Sequence, residues 1–201
     1  MSVYNIIIKS GKGEVIIPEE KRISLDEFYR IRKDSDQLME YIDGVVFMTP
    51  SPSTKHQRIS GRIHAQLFQL LDGSECEVFH APFDVELKSE QMDGTKIVIP
   101  DLSVICDKSG FHENKYVGVP SLIIEIISPS NQSHDLVVKL NLYMQYGVKE
   151  YWIMNPLLNT IQVYVLDENN KFKLHDVAKD KGSIKSTIIN KFIVDIEKVF
   201  S

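Results

Sequence analysis

Hydrophobic positions recur in this chain with two different periods, and the longer period marks its helices. From Ser53 to about Leu71 apolar residues return at three- and four-residue steps, at Ile59, Ile63, Leu67 and Leu70 or Leu71. That spacing predicts an amphipathic helix. The segment ISLDEFYRIRK opens with Ser24 and has Glu27 three residues later, a capping-box pattern that predicts a short helix. Further helices are predicted in HDLVVKLNLYMQYG, which stops at Gly147, and in the closing FIVDIEKVF.

Strand-like segments lie between these helices. The pair Asp43-Gly44 in MEYIDGVVFMTP is a hairpin signal between two strand-like halves. We expect CEVFHAPFDVEL and KIVIPDLSVICD to form two strands joined by a polar, Gly-containing turn, with the prolines of APF and IPD at bends or strand starts. SGFHENKYVGVP is expected to form a loop. Further strands are predicted in SLIIEIIS, KEYWIMNP, TIQVYVLDENN and KFKLHDVA. Strands flanked by helices favour an α/β or α+β domain of two or three layers with a mixed sheet.

Composition and charge narrow the class of protein. With 201 residues, a hydrophobic share of 43% and a charged share of 25%, residues 1–201 are expected to form a single soluble domain. No apolar run is long enough to span a bilayer and the first residues lack a signal-peptide pattern, so we expect a cytoplasmic protein with no membrane partner. Cys76 and Cys106 lack metal-type spacing and are expected to be reduced thiols. The net charge of −5 argues against a protein that coats nucleic acid, but not against an enzyme with a bound cation.

The segment SLIIEIIS contains a single carboxylate in an otherwise strand-like apolar run. Alternation puts Glu125 and Ile127 on one face of the strand and Ile124 and Ile126 on the other. Because apolar residues occupy both faces, the strand is predicted to be central, where an isolated carboxylate would be costly. Glu125 is therefore paired in a buried salt bridge, placed at a solvent-reaching strand end, protonated, or bound to a metal ion.

A second carboxylate and a lysine favour the metal interpretation. Asp101 begins a strand 24 residues before Glu125, and consecutive strands are often neighbours in a sheet. Mg²⁺ accepts one or two carboxylates and keeps positions for water and substrate phosphate. In the next helix Asp135, Lys139 and Tyr143 follow at four-residue steps, so Lys139 can point toward the carboxylates. The alternative is an exposed Asp135–Lys139 pair of little energetic weight.

These motifs together resemble the Uma family of restriction-endonuclease-like proteins, a branch of the PD-(D/E)XK nuclease superfamily. The resemblance covers about residues 24–200 and rests on IPDLSVICD, PSLIIEIISPSNQSHDLVVKLNLYMQYGVKEYWIMNP, MEYIDGVV, PSPSTKHQRISGRI and APFDVEL. It implies a restriction-endonuclease-like fold with a central mixed sheet flanked by helices. It also implies a metal-dependent DNA endonuclease that uses Mg²⁺, with Mn²⁺ as a substitute, and by analogy a homodimer. Asp101 and Glu125 would be the metal ligands and Lys139 the catalytic lysine.

One position departs from the superfamily pattern, and several others extend the candidate site. The superfamily lysine normally lies two residues after the glutamate, where this chain has Ile127, so Lys139 must supply the charge, as is usual in the Uma family. Supporting roles are expected for Glu40, Asp84, Asp135 and Tyr143, although Glu40 and Asp84 are as readily exposed strand residues. Lys55, His56, Arg58 and Arg62 on the long helix are candidates for phosphate contacts, with a solvated helix face as the alternative.

Two other functions fit parts of the sequence. A catalytically inactive relative would keep the fold as a binding or assembly module. A glycoside hydrolase would use the paired carboxylates as acid and base without a cation. Phosphate-binding glycine loops of the Gly-Lys-Ser/Thr type, His-Glu-x-x-His and Gly-x-Ser-x-Gly do not occur, so nucleotide hydrolases, zinc proteases and serine hydrolases have no support.

Overall fold

The protein is described here by a computed structural model that covers residues 5–10, 13–18, 22–49, 51–90, 92–128 and 134–201. Its α-helices are α1 (Leu25–Lys33), α2 (Thr54–Leu71), α3 (Leu140–Tyr146) and α4 (Ile196–Phe200). A π-helical turn (His134–Lys139) leads directly into α3, and Lys108–Gly110 form a 3-10 turn. None of the helices in these ranges is long and apolar enough to cross a membrane.

The strands follow one another in short runs. They are β1 (Asn5–Ser10), β2 (Gly13–Pro18), β3 (Leu38–Ile42), β4 (Val45–Thr49), β5 (Glu77–His80), β6 (Asp84–Ser89), β7 (Met92–Val98), β8 (Leu102–Ile105), β9 (Lys115–Gly118), β10 (Leu122–Ile126), β11 (Glu150–Asn155), β12 (Thr160–Leu166), β13 (Phe172–Lys179), β14 (Ser183–Lys185) and β15 (Ile193–Asp195). A six-stranded main sheet has the order β13-β12-β11-β10-β8-β5, and a five-stranded second sheet has the order β4-β3-β7-β6-β9. Both are mixed, because β10–β11 and β6–β9 are parallel pairs among antiparallel ones.

Local signals in the sequence correctly predict where α1 and α2 begin and where α3 ends, whereas the predicted closing helix FIVDIEKVF is shorter because Ile193–Asp195 form β15. The Ser24 side chain accepts a hydrogen bond from the Glu27 N–H, and Ser53 caps α2 in the same way through His56. Gly147 ends α3 in the left-handed conformation, with φ of 86°, which glycine adopts without steric penalty. The Asp43-Gly44 hairpin between β3 and β4 is also confirmed.

Between residues 76 and 107 the structure has four strands where the sequence predicted two, and the breaks fall at the two prolines that were predicted to lie at bends or strand starts. Each segment divides at a proline: the cis Ala81-Pro82 bond separates β5 from β6, and Pro100 separates β7 from β8. The two halves then join different sheets, with β5 and β8 in the main sheet and β6 and β7 in the second. The predicted loop SGFHENKYVGVP contains β9, which pairs with β6. At each of these prolines the chain passes from one sheet to the other, so the two sheets are joined there.

Hydrophobic cores lie on both faces of the main sheet. Leu122, Ile124 and Ile126 of β10 pack in a core with α2 and α4, as the alternation predicts. Ile123 and Ile127 face a second core that also contains residues of α3 and of the second sheet. A central strand buried on both faces, within a mixed α+β architecture, confirms the predicted fold class.

The expectation of two reduced thiols is wrong, since Cys76 and Cys106 form a disulfide. β5 and β8 pair antiparallel with Glu77 opposite Ile105, so the next positions outward are Cys76 and Cys106. Their Cα atoms lie 4.0 Å apart. Because the two cysteines are 30 positions apart, their proximity could not be predicted from local sequence.

Candidate active site

The two candidate metal ligands meet where β8 and β10 lie side by side. Ile124 pairs with Leu102, and Asp101 directly precedes Leu102, so the Asp101 carboxylate reaches the end of β10. Its Oδ2 accepts a hydrogen bond from the Ile126 N–H at 2.7 Å. Asp101 and Glu125 both line a cleft of about 670 Å³. The sequence prediction that these strands are neighbours is therefore confirmed.

Lys139 lies between two buried carboxylates. Its Nζ is 2.9 Å from Glu125 Oε1 and 3.0 Å from Glu40 Oε1. All three residues are at most 4% exposed. Glu40 lies on β3 of the second sheet, and its Oε1 also accepts from the Ile99 N–H at 2.8 Å. The ammonium thus joins the helical segment after β10 to both sheets, and the alternative of an exposed surface pair is wrong for Lys139.

Tyr143 completes this cluster from the next turn of helix. Its hydroxyl donates to Glu125 Oε1 at 2.8 Å, and the residue is fully buried. Burial raises the pKa of the Tyr143 phenol well above its ordinary value, and the nearby Glu125 carboxylate raises it further. The phenol therefore stays protonated and remains a hydrogen-bond donor to Glu125 at physiological pH.

The helix geometry explains why both side chains reach the same oxygen. Lys139 is the last residue of the π-helical turn, and Tyr143 follows four residues later in α3. Side chains four residues apart share one face of a helix. A π-turn rotates that face relative to a regular helix, and such turns are frequent at functional sites. The side chain of Asp135, the third member of the predicted stripe, lies outside the described part of the chain.

His56 reaches the second carboxylate from the first turn of α2. Its Nε2 lies 3.1 Å from Asp101 Oδ2, and both residues line the cleft. The sequence suggested a phosphate contact or a polar residue at the helix start. The structure adds a direct contact with Asp101.

The remaining basic candidates on α2 are held elsewhere. Lys55 lines the cleft, but its Nζ donates to the Pro156 carbonyl and to Asn159 Oδ1. Arg62 donates to three carbonyls at the C-terminus, those of Lys198, Val199 and Ser201. Arg58 is exposed and is not among the residues that line the cleft.

Asp84 does not join the acidic cluster. It forms a bidentate ion pair with Arg32 of α1, at 2.6 and 2.7 Å, and does not line the cleft. The partners are 52 positions apart in the chain, so the pair has no local signal in the sequence. Within the ranges that the structure describes, no group of three or more His, Cys, Asp or Glu side chains is arranged to hold a metal ion by itself.

Some cleft residues were not anticipated from the sequence. His80 and the cis Ala81-Pro82 bond form part of the wall, as does Leu157 in the turn between β11 and β12. The proline in a strand-like segment was a usable signal for the break in the strand at Ala81-Pro82. Turns are usually rich in polar residues, so the two adjacent leucines in NPLLNT were a usable signal for Leu157.

Comparisons with known proteins identify the family and the fold. A family model described as "Putative restriction endonuclease", Uma2, matches residues 25–197. An uncharacterized protein from Synechocystis sp. is 25% identical over 177 residues, which is 87% of this chain and 90% of the relative. A crystal structure of "a putative nuclease belonging to DUF820" from Anabaena variabilis superimposes with a TM-score of 0.70 at 19% identity, covering 89% of this chain and 97% of that one. This structural likeness shows a shared fold, and the family match establishes that the chain belongs to the Uma2 family.

Proposed function

We propose that the protein is a metal-dependent endonuclease that hydrolyses phosphodiester bonds of DNA in the cleft beside β8 and β10. The observation that carries the proposal is the buried Lys139 ammonium, held by Glu125 and Glu40 at the wall of a cleft that Asp101 also lines. A buried charge network in a cleft is typical of an active site rather than of a surface ion pair. Family membership makes phosphodiester hydrolysis the reaction to test first.

The donor set fits Mg²⁺ better than a metal that needs a complete protein cage. Asp101 and Glu125 offer hard carboxylate oxygens, and Mg²⁺ is commonly bound by one or two carboxylates while water and substrate phosphate fill its other positions. A bound Mg²⁺ or Mn²⁺ would polarise the phosphoryl oxygens and lower the pKa of an attacking water. The cation would also offset the net charge of −5 where the DNA backbone approaches.

The chain's own residues position the substrate and stabilise developing charge. Lys139 lines the cleft, so its ammonium can donate to a non-bridging phosphate oxygen as charge grows there. Glu40 and Glu125 hold that ammonium in place before substrate arrives. Tyr143 orients Glu125 through its hydroxyl, and His56 orients Asp101 through Nε2.

Plasmid cleavage tests this proposal directly. Wild-type protein with Mg²⁺ or Mn²⁺ is expected to nick and then linearise supercoiled DNA, and EDTA is expected to abolish the reaction. Asp101→Asn should lower the cleavage rate at least about 100-fold, which is in the range seen when a group that stabilises the transition state is deleted.

Asp84→Asn supplies a matched control, because it also neutralises an aspartate but outside the cleft, at the Arg32 ion pair. It should lower stability while leaving the cleavage rate near that of wild type. Equal rates for wild type and Asp101→Asn would instead favour an inactive binding or assembly module.

A further inference from the structure

The turn between β11 and β12 is held rigidly at the edge of the cleft. The buried Asn155 side chain accepts hydrogen bonds from the N–H groups of Leu157 and Leu158, at 3.0 and 3.2 Å. Lys55 bonds the Pro156 carbonyl and Asn159 Oδ1 from the other side. A turn fixed by both backbone and side-chain contacts loses little further entropy when it binds a partner.

This rigid turn presents two large apolar side chains to solvent. Leu157 is 71% exposed and Leu158 is 53% exposed, although turns favour Gly, Asn, Asp and Ser. Single exposed leucines are ordinary, but an adjacent pair on a fixed tip is an unusual use of apolar surface. Leu157 and Pro156 also line the cleft that contains Glu125 and Lys139.

Strand register places the tip relative to the reacting centre. Glu125 pairs with Ile153 in the parallel β10–β11 ladder, and Pro156 follows three residues beyond Ile153. At about 3.3 Å per residue, the tip lies about 10 Å past Glu125 along the strand direction. That distance corresponds to about three base steps of duplex DNA.

We propose that Leu157 and Leu158 form an apolar wedge that inserts at a base step of the bound duplex, and that the wedge directs the enzyme to weakly stacked sites. Proteins that kink DNA commonly insert Leu, Ile, Phe, Met or Pro between base steps. A base face is the apolar surface of DNA that can cover these leucines, and Leu157 lines the same cleft as Asp101 and Glu125, where the substrate of the proposed reaction would lie. The inference rests on the proposed function for its substrate.

The wedge predicts a preference that can be measured without cleavage. Unstacking is least costly at a mismatched or damaged pair, so the protein should bind a duplex with one mismatch about tenfold more tightly than the matched duplex. Fluorescence anisotropy in EDTA gives both affinities. A 2-aminopurine next to the mismatch should brighten at least about twofold on binding, because its stacking is lost.

Leu157→Ser/Leu158→Ser should bind both duplexes equally and leave 2-aminopurine dim. Leu174→Ser removes a leucine of similar exposure, 52%, on β13, and should behave as wild type. Cooperative thermal unfolding of each variant checks its fold. An equal affinity of wild type for the two duplexes, or no DNA binding at all, would overturn the wedge.

The outcomes also separate the wedge from the cleavage chemistry. A mismatch preference without plasmid cleavage would support the wedge and contradict the proposed nuclease. Cleavage without a mismatch preference would contradict only the wedge. A change in sedimentation mass confined to the Leu157→Ser/Leu158→Ser variant would show that the leucines contact a second copy of the chain, which also overturns it.

Discussion

At the scale of single residues, Lys139 differs from an ordinary ion-paired lysine because it is buried with two carboxylates. Surface pairs contribute little to stability, but removing one partner of a buried pair leaves an uncompensated charge in a medium that solvates it poorly. The same arrangement holds the ammonium at the cleft wall before substrate binds. Under the proposed mechanism, stability and catalysis both depend on the Lys139 side chain, and the two effects must be measured separately.

Lys139→Met tests both dependences. We expect the cleavage rate to fall at least about 100-fold, since a charge that stabilises the transition state is lost. The free energy of unfolding should fall by about 3–5 kcal/mol, because Glu40 and Glu125 remain buried together. Initial rates and urea denaturation measure the two effects.

Lys96→Met is the matched control for that experiment. Lys96 is also buried, at 5% exposed, but it pairs with Asp43 on the β3–β4 turn and does not line the cleft. It should lose stability and keep the wild-type rate. A comparable loss of activity in both variants would mean that Lys139 acts only through the fold.

Tyr143 links the cluster to the pH dependence of stability. Burial raises the pKa of its phenol, so above about pH 10 the unfolded chain releases this proton while the folded chain retains it. The unfolded state then binds fewer protons, and stability falls as pH rises. The urea midpoint of wild type should therefore decline more steeply between pH 9 and 11 than that of Tyr143→Phe. Parallel curves would contradict the burial argument.

For single residues, the sequence predicted contacts between positions that are close along the chain or that lie in adjacent strands. The alternation in β10 identified the face of Glu125, and the four-residue step identified Lys139 and Tyr143. It did not predict that Asp84 pairs with Arg32, because that contact depends on how α1 docks on the second sheet. From their charge alone, Asp84 and Glu40 were equally good candidates for the acidic cluster, and only their packing distinguishes them.

At the scale of elements, substitutions along the hydrophobic stripe of α2 test the core that α2 forms with the main sheet. Ile63 is fully buried in this core, whereas Phe68 on the same helix is 62% exposed. Ile63→Ala should lower the free energy of unfolding by about 2–5 kcal/mol through lost burial and a residual cavity. Phe68→Ala should cost less than about 1 kcal/mol. Chemical denaturation that ranks the two variants in the opposite order would contradict the assigned helix face.

The same scale shows why some elements were mispredicted. Periodicity located α2 and β10 because one core face determines each pattern. It could not show that the chain changes sheet at Pro82 and Pro100, because β-strand residues on either side of each proline look alike in sequence. Likewise, the π-turn that ends at Lys139 has no local signature in HDLVVK, and the Cys76–Cys106 pair follows from the register of β5 and β8.

At the scale of the whole molecule, the two sheets share one core, which supports the proposal that the chain folds as a single domain. Val85 and Val98 of the second sheet pack in the same cluster as Ile123 and Tyr151 of the main sheet. The Lys139 ion pairs also join the sheets. The candidate active site therefore requires both sheets to be folded together.

A shared core predicts one cooperative unfolding transition. Trp152 is the only tryptophan and is buried in the main sheet, so its fluorescence reports that sheet. Far-ultraviolet circular dichroism reports all helices and strands. The two urea transitions should coincide, as expected for a two-state domain. Separate midpoints would show that the sheets unfold independently.

We propose that Asp101 and Glu125 form one cation site beside Lys139. Anomalous diffraction from a crystal soaked in Mn²⁺, at a concentration that supports plasmid cleavage, tests it most directly. We predict a manganese peak within bonding distance of both carboxylates, with the Lys139 ammonium lining the same cleft. Active protein whose crystals show manganese elsewhere, or none between Asp101 and Glu125, would show that these two carboxylates do not form the cation site.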